Sequence, residues 1–321
     1  MGGIAACLCM ACGGNDSKDY WGDTSGGGDK EPTENPNASK PRYIWIDAAA
    51  NFPDFANSKE NIARDLALAK DAGFTDIVVD VRPTTGDVLF KTNLVDQVKF
   101  MYAWIGSNYT KVERTATWDY LQAFVDEARK QGLRIHAAIN TFVGGNQIDG
   151  GTGLLYRDQS KAEWATQMNM QGGITSVMNT SESTKFFNPA HPEVQTFLCD
   201  LLKDLAGYDL DGIFLDRGRF LNLQTDFSDE SRKQFEAYMG GIKIQNYPED
   251  ILTPGASSLP TTYPKYMTKW LEFRAKVIYD FIQKARTAVK GVNSKIKFGV
   301  YVGGWYSTYY DVGVNWAAST Y

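Results

Sequence analysis

The chain has 321 residues, of which 43% are hydrophobic and 22% charged, so it can bury a large core and is not a disordered segment. Its length suits one large domain or two smaller ones. Lysine and arginine total 33 against 38 acidic residues, and the net charge of −5 argues against a basic surface for nucleic acid.

The amino terminus reads MGGIAACLCMACGG and continues into a polar segment rich in Gly, Asp, Asn and Pro. We predict that residues 1–12 are the end of a lipoprotein signal peptide and that residues 13–41 are a flexible tether. Ala11-Cys12-Gly13 resembles the lipobox of bacterial lipoproteins, which implies lipid attachment at Cys12. The expected location is then the cell envelope, on the outer membrane or the cell surface. The alternative is an apolar terminus with incidental cysteines.

From residue 42 onward, short β-branched or aromatic runs alternate with longer helical patterns, which predicts β–α units around a parallel sheet. Five strands are predicted, over residues 43–48, 76–83, 133–140, 211–216 and 295–305. Helices are predicted to begin near Ser58, Thr117 and Pro192, and a long helix is predicted over residues 266–291. Residues 42–321 are therefore expected to form an α/β domain.

Polar residues occur near the carboxyl ends of these strands. Alternation places Asp80 with Arg82 on one face of the second strand, His136 with Asn140 on one face of the third, and Asp216 at the end of the fourth. In parallel α/β folds, sites are built at the edge where the carboxyl ends meet. The long segments that follow the second and third strands exceed ordinary connections and are typical of functional loops.

The run NPAHPEVQTFLCDLLKDLAGYDLDGIFLDRGRF resembles the glycosyl-hydrolase-like family 10 domain of bacterial secreted proteins. RYIWIDAAANF, VVDVRPTTGDVLF, LRIHAAIN and FGVYVGGWYSTYYDVGVNWA resemble other segments of that domain, in the same order. The resemblance covers residues 42–321 and implies a (β/α)8 TIM-type barrel, related to the α-amylase and α-galactosidase clans, that hydrolyses an extracytoplasmic carbohydrate. Because only five of eight strands are predicted, the barrel is expected to be incomplete at the carboxyl terminus.

In those clans the nucleophile is a carboxylate at the end of the fourth strand, so the resemblance implies that Asp216 is the nucleophile. Arg217 and Arg219 are expected to keep it ionised, and Arg219 is also expected to contact substrate. Alternatively, Asp216 is a structural carboxylate paired with one of these arginines. Many relatives carry a second acid where Arg217 stands. The clans take their proton donor from a later strand, so little or no hydrolysis is expected from this 321-residue chain by itself.

Five further residues are predicted to bind substrate. Asp80 and Arg82 would orient a sugar hydroxyl, or would form a buried ion pair that only shapes the barrel. His136 and Asn140 would donate to substrate oxygens, although a histidine on an inward strand face can equally be a core residue. Trp305 would stack on a sugar ring, or would pack at the base of a loop.

No cofactor or metal is predicted. The sequence contains two histidines, which excludes a histidine-rich zinc site, and no GxGxxG follows a predicted strand, which argues against a dinucleotide. The expected partners are a carbohydrate substrate and, through the lipid, a membrane. Two functions remain open: a lipid-anchored glycoside hydrolase, and a surface lipoprotein that binds carbohydrate without cleaving it.

Overall fold

The computed structural model describes residues 40–302 and 310–314. The strands, in chain order, are β1 (Tyr43–Ile46), β2 (Asp76–Arg82), β3 (Phe100–Ile105), β4 (Asn108–Glu113), β5 (Arg134–Asn140), β6 (Val143–Asn146), β7 (Gln167–Met170), β8 (Gly173–Ser176), β9 (Thr184–Phe186), β10 (Gly212–Asp216) and β11 (Lys297–Val300). The helices are α1 (Ala48–Phe55), α2 (Lys59–Asp71), α3 (Tyr120–Gln131), α4 (Leu154–Arg157), α5 (Pro192–Ala206), α6 (Asp229–Tyr238) and α7 (Met267–Val292).

The central sheet contains five parallel strands in the order β1-β2-β5-β10-β11, which confirms the predicted parallel sheet. One face of this sheet packs against the helices. Val79, Ala137 and Ile213 on that face are completely buried in a hydrophobic core that extends from Ile46 to Val312. Strands that are buried in this way have near-continuous apolar sequences, which is why they could be recognised in the chain.

The helices begin and end at the residue types that stabilise helix termini. The Ser58 side chain accepts a hydrogen bond from the backbone N–H of Asn61 at 3.1 Å and caps α2, and Asp119 caps α3 in the same way. Helix α3 ends at Gly132, whose φ of 63° is left-handed. Pro192 occupies the first turn of α5, where its missing N–H costs nothing.

The first predicted strand is longer than the observed one. Strand β1 ends at Ile46, and the Asp47 carboxylate accepts a hydrogen bond from the backbone N–H of Ala50 at 2.7 Å, so it begins helix α1 instead of extending the strand. A capping aspartate followed by three alanines favours a helix over an extended chain. Of the predicted strand over residues 295–305, β11 covers Lys297–Val300; residues 295–296 and 301–302 lie outside the strand, and residues 303–305 lie outside the described residues.

The two long segments that follow β2 and β5 contain antiparallel hairpins. Strands β3 and β4 pair after β2, while β6 pairs with β9 and β7 pairs with β8 after β5. Helix α1 packs against β3, so the first hairpin is attached to the start of the domain. In the described ranges, no helix is long and apolar enough to cross a membrane.

Candidate active site

A cleft opens at the carboxyl edge of the central sheet and encloses about 120 Å³. It is lined by Trp45, Asp47, Ala49, Asp80, Pro83, Thr84, Met101, Ala138, Asn140, Asp216 and Arg217. The structure therefore brings together three of the predicted site residues, Asp80, Asn140 and Asp216. Trp45 and Asp47 also belong to the cleft and were not predicted as site residues. Trp45 lies in β1, opposite Val78, whereas Asp47 leaves the predicted strand and caps α1.

Asp216 is the last residue of β10, and it lies opposite Asn140 in the neighbouring strand. The backbone N–H of Arg217 donates to Asp216 Oδ1 at 2.6 Å. Arg217 has a left-handed φ of 47°, which residues other than glycine rarely adopt and which is enriched at functional sites. The chain thus turns sharply after Asp216 and directs a backbone donor at its carboxylate.

The pKa of Asp216 is raised above its usual value, mainly because burial disfavours the charged carboxylate. The hydrogen bond from the backbone of Arg217 and the positive charges of Arg217 and Arg219 lower the pKa, and the negative charge of Asp47 raises it. We expected the two arginines to dominate. Their attraction is present, but burial outweighs it.

Asp80 is the second carboxyl group of the cleft and is only 6% exposed. Burial raises its pKa to about 8, and the negative charges of Asp47 and Asp216 contribute to the increase, while backbone N–H groups of Ala48 and Arg82 lower it. Asp80 is therefore protonated at neutral pH. A buried carboxylic acid in this state can donate a hydrogen bond or a proton, which a carboxylate cannot.

Asn140 connects the cleft to the strand beside it. Its side-chain Nδ2 donates to the backbone oxygen of Arg82 at 3.0 Å and lies 3.5 Å from Asp80 Oδ2. These contacts fix the amide between the two carboxyl groups, since β5 lies between β2 and β10. A fixed amide at this position can present its oxygen or its remaining N–H to a ligand.

Arg82 does not reach the cleft. Its guanidinium group is completely buried and donates to the backbone oxygens of Asn140, Thr141 and Val143. The register shifts between Asp80 and Arg82, so that Arg82 lies opposite Ile139, a residue of the hydrophobic core. The predicted pairing of Asp80 and Arg82 on one strand face therefore does not form. Arg82 instead holds the segment that follows β5.

His136 also lies away from the cleft. It is four residues before Asn140 on β5, a separation of about 13 Å along a strand. Its Nε2 lies 2.8 Å from Asp76 Oδ1, and burial lowers its pKa. Gly212 on the adjacent strand leaves room for the imidazole, because a Cβ at that position would come within 2.4 Å of its Nδ1. His136 is therefore a packed core residue, as the alternative interpretation of the sequence predicted.

A second recess of about 210 Å³ shares Asp216 and Arg217 with the cleft. Its other lining residues are Gly218, Arg219, Tyr301, Val302 and Val314. Arg219 donates to the backbone oxygens of Phe220 and Leu221 at 2.9 and 2.8 Å. Trp305 and Cys12 lie outside the described residues. Within the described part of the chain, no three His, Cys, Asp or Glu residues are grouped to hold a metal ion.

The chain is an α/β protein whose candidate site lies at the carboxyl ends of parallel strands, where sites in such folds are usually found. The family model described as glycosyl hydrolase-like 10 matches residues 40–318, and the chain belongs to this family, which confirms the resemblance. An S-layer-related protein of Niallia circulans is 31% identical over 290 residues, which are 87% of this chain and 18% of that protein. The chain therefore spans less than a fifth of the length of this relative.

Solved structures with a similar fold include two glycosidases. Alpha-L-fucosidase isoenzyme 2 from Paenibacillus thiaminolyticus superimposes with a TM-score of 0.51 and 16% identity, over 82% of this chain and 33% of the fucosidase chain. Beta-galactosidase from Marinomonas ef1 gives a TM-score of 0.54 and 10% identity, over 84% of this chain and 38% of the galactosidase chain. At these identities the similarity concerns the fold alone.

Proposed function

We propose that this chain is a glycoside hydrolase that acts on an extracytoplasmic carbohydrate, with Asp216 as the carboxylate that reacts at the anomeric carbon. The observation that carries the proposal is the position of Asp216 at the carboxyl end of the fourth central strand, in one cleft with Asp80. Membership of a glycosyl hydrolase-like family and similarity of fold to two glycosidases support it.

Glycoside hydrolysis needs one carboxylate that attacks or stabilises the oxocarbenium-like transition state, and one acid that protonates the departing oxygen. Asp216 supplies the negative charge in this proposal, with the Arg217 backbone holding one of its oxygens. Asp80 is the buried carboxyl of the cleft that retains a proton at neutral pH. In this proposal Asp80 is the acid: it transfers this proton to the departing glycosidic oxygen as the bond to the anomeric carbon breaks, and Asn140 orients the same part of the sugar.

The five central strands are arranged, in this proposal, as in the wall of a (β/α)8 barrel, with the cleft at the mouth. The sheet face opposite the helices carries a line of aromatic rings. Trp45 lies 6.0 Å from Phe214 and 5.4 Å from Tyr301, measured between ring centroids. Trp45 lines the cleft as well, so its ring is placed to stack on the sugar whose anomeric carbon faces Asp216.

The proposal also places the enzyme at the cell envelope, held by lipid on Cys12. Its support is the lipobox-like Ala11-Cys12-Gly13, followed by a polar segment long enough to serve as a tether. Similarity to an S-layer-related protein is compatible with this placement.

A paired assay tests the function. The same protein is incubated with a panel of neutral glycans, and release of reducing ends is measured beside binding on an array of those glycans. The proposal predicts that at least one glycan is both bound and cleaved. This differs from the low activity expected when the proton donor was assigned to a later strand, because Asp80 supplies an acid within the cleft. Binding without any release of reducing ends would favour the second function, a surface protein that holds carbohydrate without hydrolysing it.

A further inference from the structure

The hairpin formed by β3 and β4 exposes a row of aromatic rings. Residues of a strand alternate between its faces, and the register pairs Trp104 with Tyr109 and Tyr102 with Lys111. Tyr102, Trp104 and Tyr109 therefore share one face, which we call the aromatic face of the hairpin. Trp104 is 69% exposed and Tyr109 is 55% exposed. Large apolar side chains grouped in this way mark interaction sites more often than isolated ones do.

The other face of the hairpin is anchored to the domain. Met101 and Ala103 are 4% and 3% exposed, and β3 packs against α1. Met101 also lines the cleft that contains Asp80 and Asp216. The aromatic face thus belongs to the same hairpin that forms one wall of the candidate active site, and it lies on a segment that leaves the carboxyl edge of the sheet.

The rings are held in place before any ligand binds. The centroid of the Tyr109 ring lies 5.3 Å from those of both Tyr102 and Trp104. The Tyr102 hydroxyl donates to Asp149 Oδ1 at 2.9 Å, and Lys111 Nζ lies 2.8 Å from Asp149 Oδ2. Asp149 belongs to the segment that follows β6, so it ties the hairpin to the neighbouring loop. Preorganised rings lose little conformational entropy when a ligand stacks on them.

The charges beside the rings are already paired. Lys111 and Asp149 form an ion pair, so the surface next to Tyr102 carries no net charge from these two groups. A surface of aromatic rings without excess charge suits a neutral ligand that has a flat apolar face and polar edges. The C–H face of a pyranose ring has this character.

We propose that the aromatic face of the hairpin binds pyranose rings of a neutral oligosaccharide, outside the cleft. This inference rests on the proposed function, because it identifies the surface as an outer subsite for the chain whose end reacts at Asp216. Tyr102 is tied to Asp149, and Thr152 of the same loop donates to the backbone oxygen of Thr85, the neighbour of a cleft residue, at 2.9 Å. The aromatic face therefore borders a loop that is bonded to the rim of the cleft, which favours a carbohydrate over a partner protein. The surface extends the binding site from one sugar to several.

Affinity electrophoresis tests the inference, with hydroxyethylcellulose, amylopectin or galactan in the gel. The protein is expected to be retarded by at least one of these neutral polysaccharides. Trp104→Ala and Tyr109→Ala should each weaken that retardation about tenfold, the change expected when one stacking contact is lost. Trp104→Phe should restore most of it. Tyr238→Ala, at an exposed aromatic position on α6, is the matched control and should stay within twofold of the parent.

Unchanged retardation of Trp104→Ala and Tyr109→Ala would overturn the inference, and so would the absence of retardation of the parent protein in all three gels. Light scattering of the same variants tests whether a second copy of the chain, and not a carbohydrate, occupies the aromatic face. A loss of oligomeric mass with retardation intact would identify the aromatic face as a contact between copies of the chain, and would also overturn the inference. Failure of the proposed function is distinguishable, because retardation that depends on Trp104 without hydrolysis of any glycan leaves the subsite in place.

Discussion

Replacing Asp80 by asparagine should change how the stability of the protein depends on pH. Burial, together with the charges of Asp47 and Asp216, raises the pKa of Asp80 from 3.8 to about 8 in the folded chain. Between these pH values, the folded state keeps a proton that the unfolded state has lost. Because the folded state binds more protons in this window, the free energy of unfolding falls as the pH rises. The contribution of the Asp80 proton to the free energy of unfolding is complete below pH 4 and is lost by about pH 8.

The size of this change in the free energy of unfolding follows from the difference of one bound proton between the folded and unfolded states. A difference of one bound proton corresponds to about 1.4 kcal/mol per pH unit, so Asp80 alone should lower the free energy of unfolding by about 3 kcal/mol between pH 5 and pH 7. Asparagine has nearly the same shape, does not titrate, and can keep the hydrogen bond that the Asp80 oxygen accepts from the backbone N–H of Arg82. The variant should therefore lack this part of the slope.

Urea denaturation at pH 5, 6 and 7, followed by tryptophan fluorescence, measures the effect. The slope of the unfolding free energy against pH should be more negative in the parent protein than in Asp80→Asn, by about 1.4 kcal/mol per pH unit. Other titrating groups contribute equally to both proteins and cancel in the difference. Identical slopes would refute the conclusion that Asp80 is a protonated acid in the folded cleft.

Three further predictions concern the scaffold and the anchor. Gly212→Ala should lower the free energy of unfolding by about 1–3 kcal/mol, because the new Cβ would clash with the His136 ring; an unaltered melting temperature would contradict this packing. Arg82→Met should cost about 3 kcal/mol or more, since three buried carbonyl groups lose their donor, and a stability equal to that of the parent would show that water replaces it. Cys12→Ser should abolish palmitate labelling of the protein, and labelling at the parent level would rule out the lipid assignment.

The parallel sheet could be predicted because its strands are apolar runs separated by helical patterns. Strand β2 is buried along its whole length, and Ile77, Val78, Val79 and Val81 give it a β-branched apolar run. The position of Asp80, Asn140 and Asp216 could also be predicted, because parallel strands end at one edge and residues alternate between faces. Alternation of side chains is a local property of each strand. The common edge follows from the β–α–β order, which the sequence pattern also indicates.

Other features depend on departures from regularity. The shift of register between Asp80 and Arg82 breaks the alternation, and it moves the guanidinium of Arg82 away from the cleft. Alternation predicts the face of His136 correctly, but His136 lies near the amino-terminal end of β5, so it is distant from the carboxyl edge where the cleft opens. Asp47 joined the cleft because β1 ends early at a helix cap, a choice between two local structures that the short run 43–48 does not decide. Trp45 lies within β1, on the face that it shares with Val78, so regular alternation was sufficient to place it.

The most direct test of the proposed chemistry compares Asp216→Asn with Asp211→Asn. Asp211 directly precedes β10, at the end of the strand opposite to Asp216. Its carboxylate pairs with Arg129 and accepts a hydrogen bond from the backbone N–H of Ile135, so Asp211→Asn serves as a matched control. Hydrolysis rate per folded protein, glycan affinity and melting temperature are measured for both variants on a glycan that the parent cleaves. We predict that Asp216→Asn loses turnover by several orders of magnitude and keeps its affinity and fold, because only the transition state needs the charge. Asp211→Asn should lose stability and keep its turnover. Normal turnover per folded protein in Asp216→Asn would contradict the assignment of Asp216 as the reacting carboxylate.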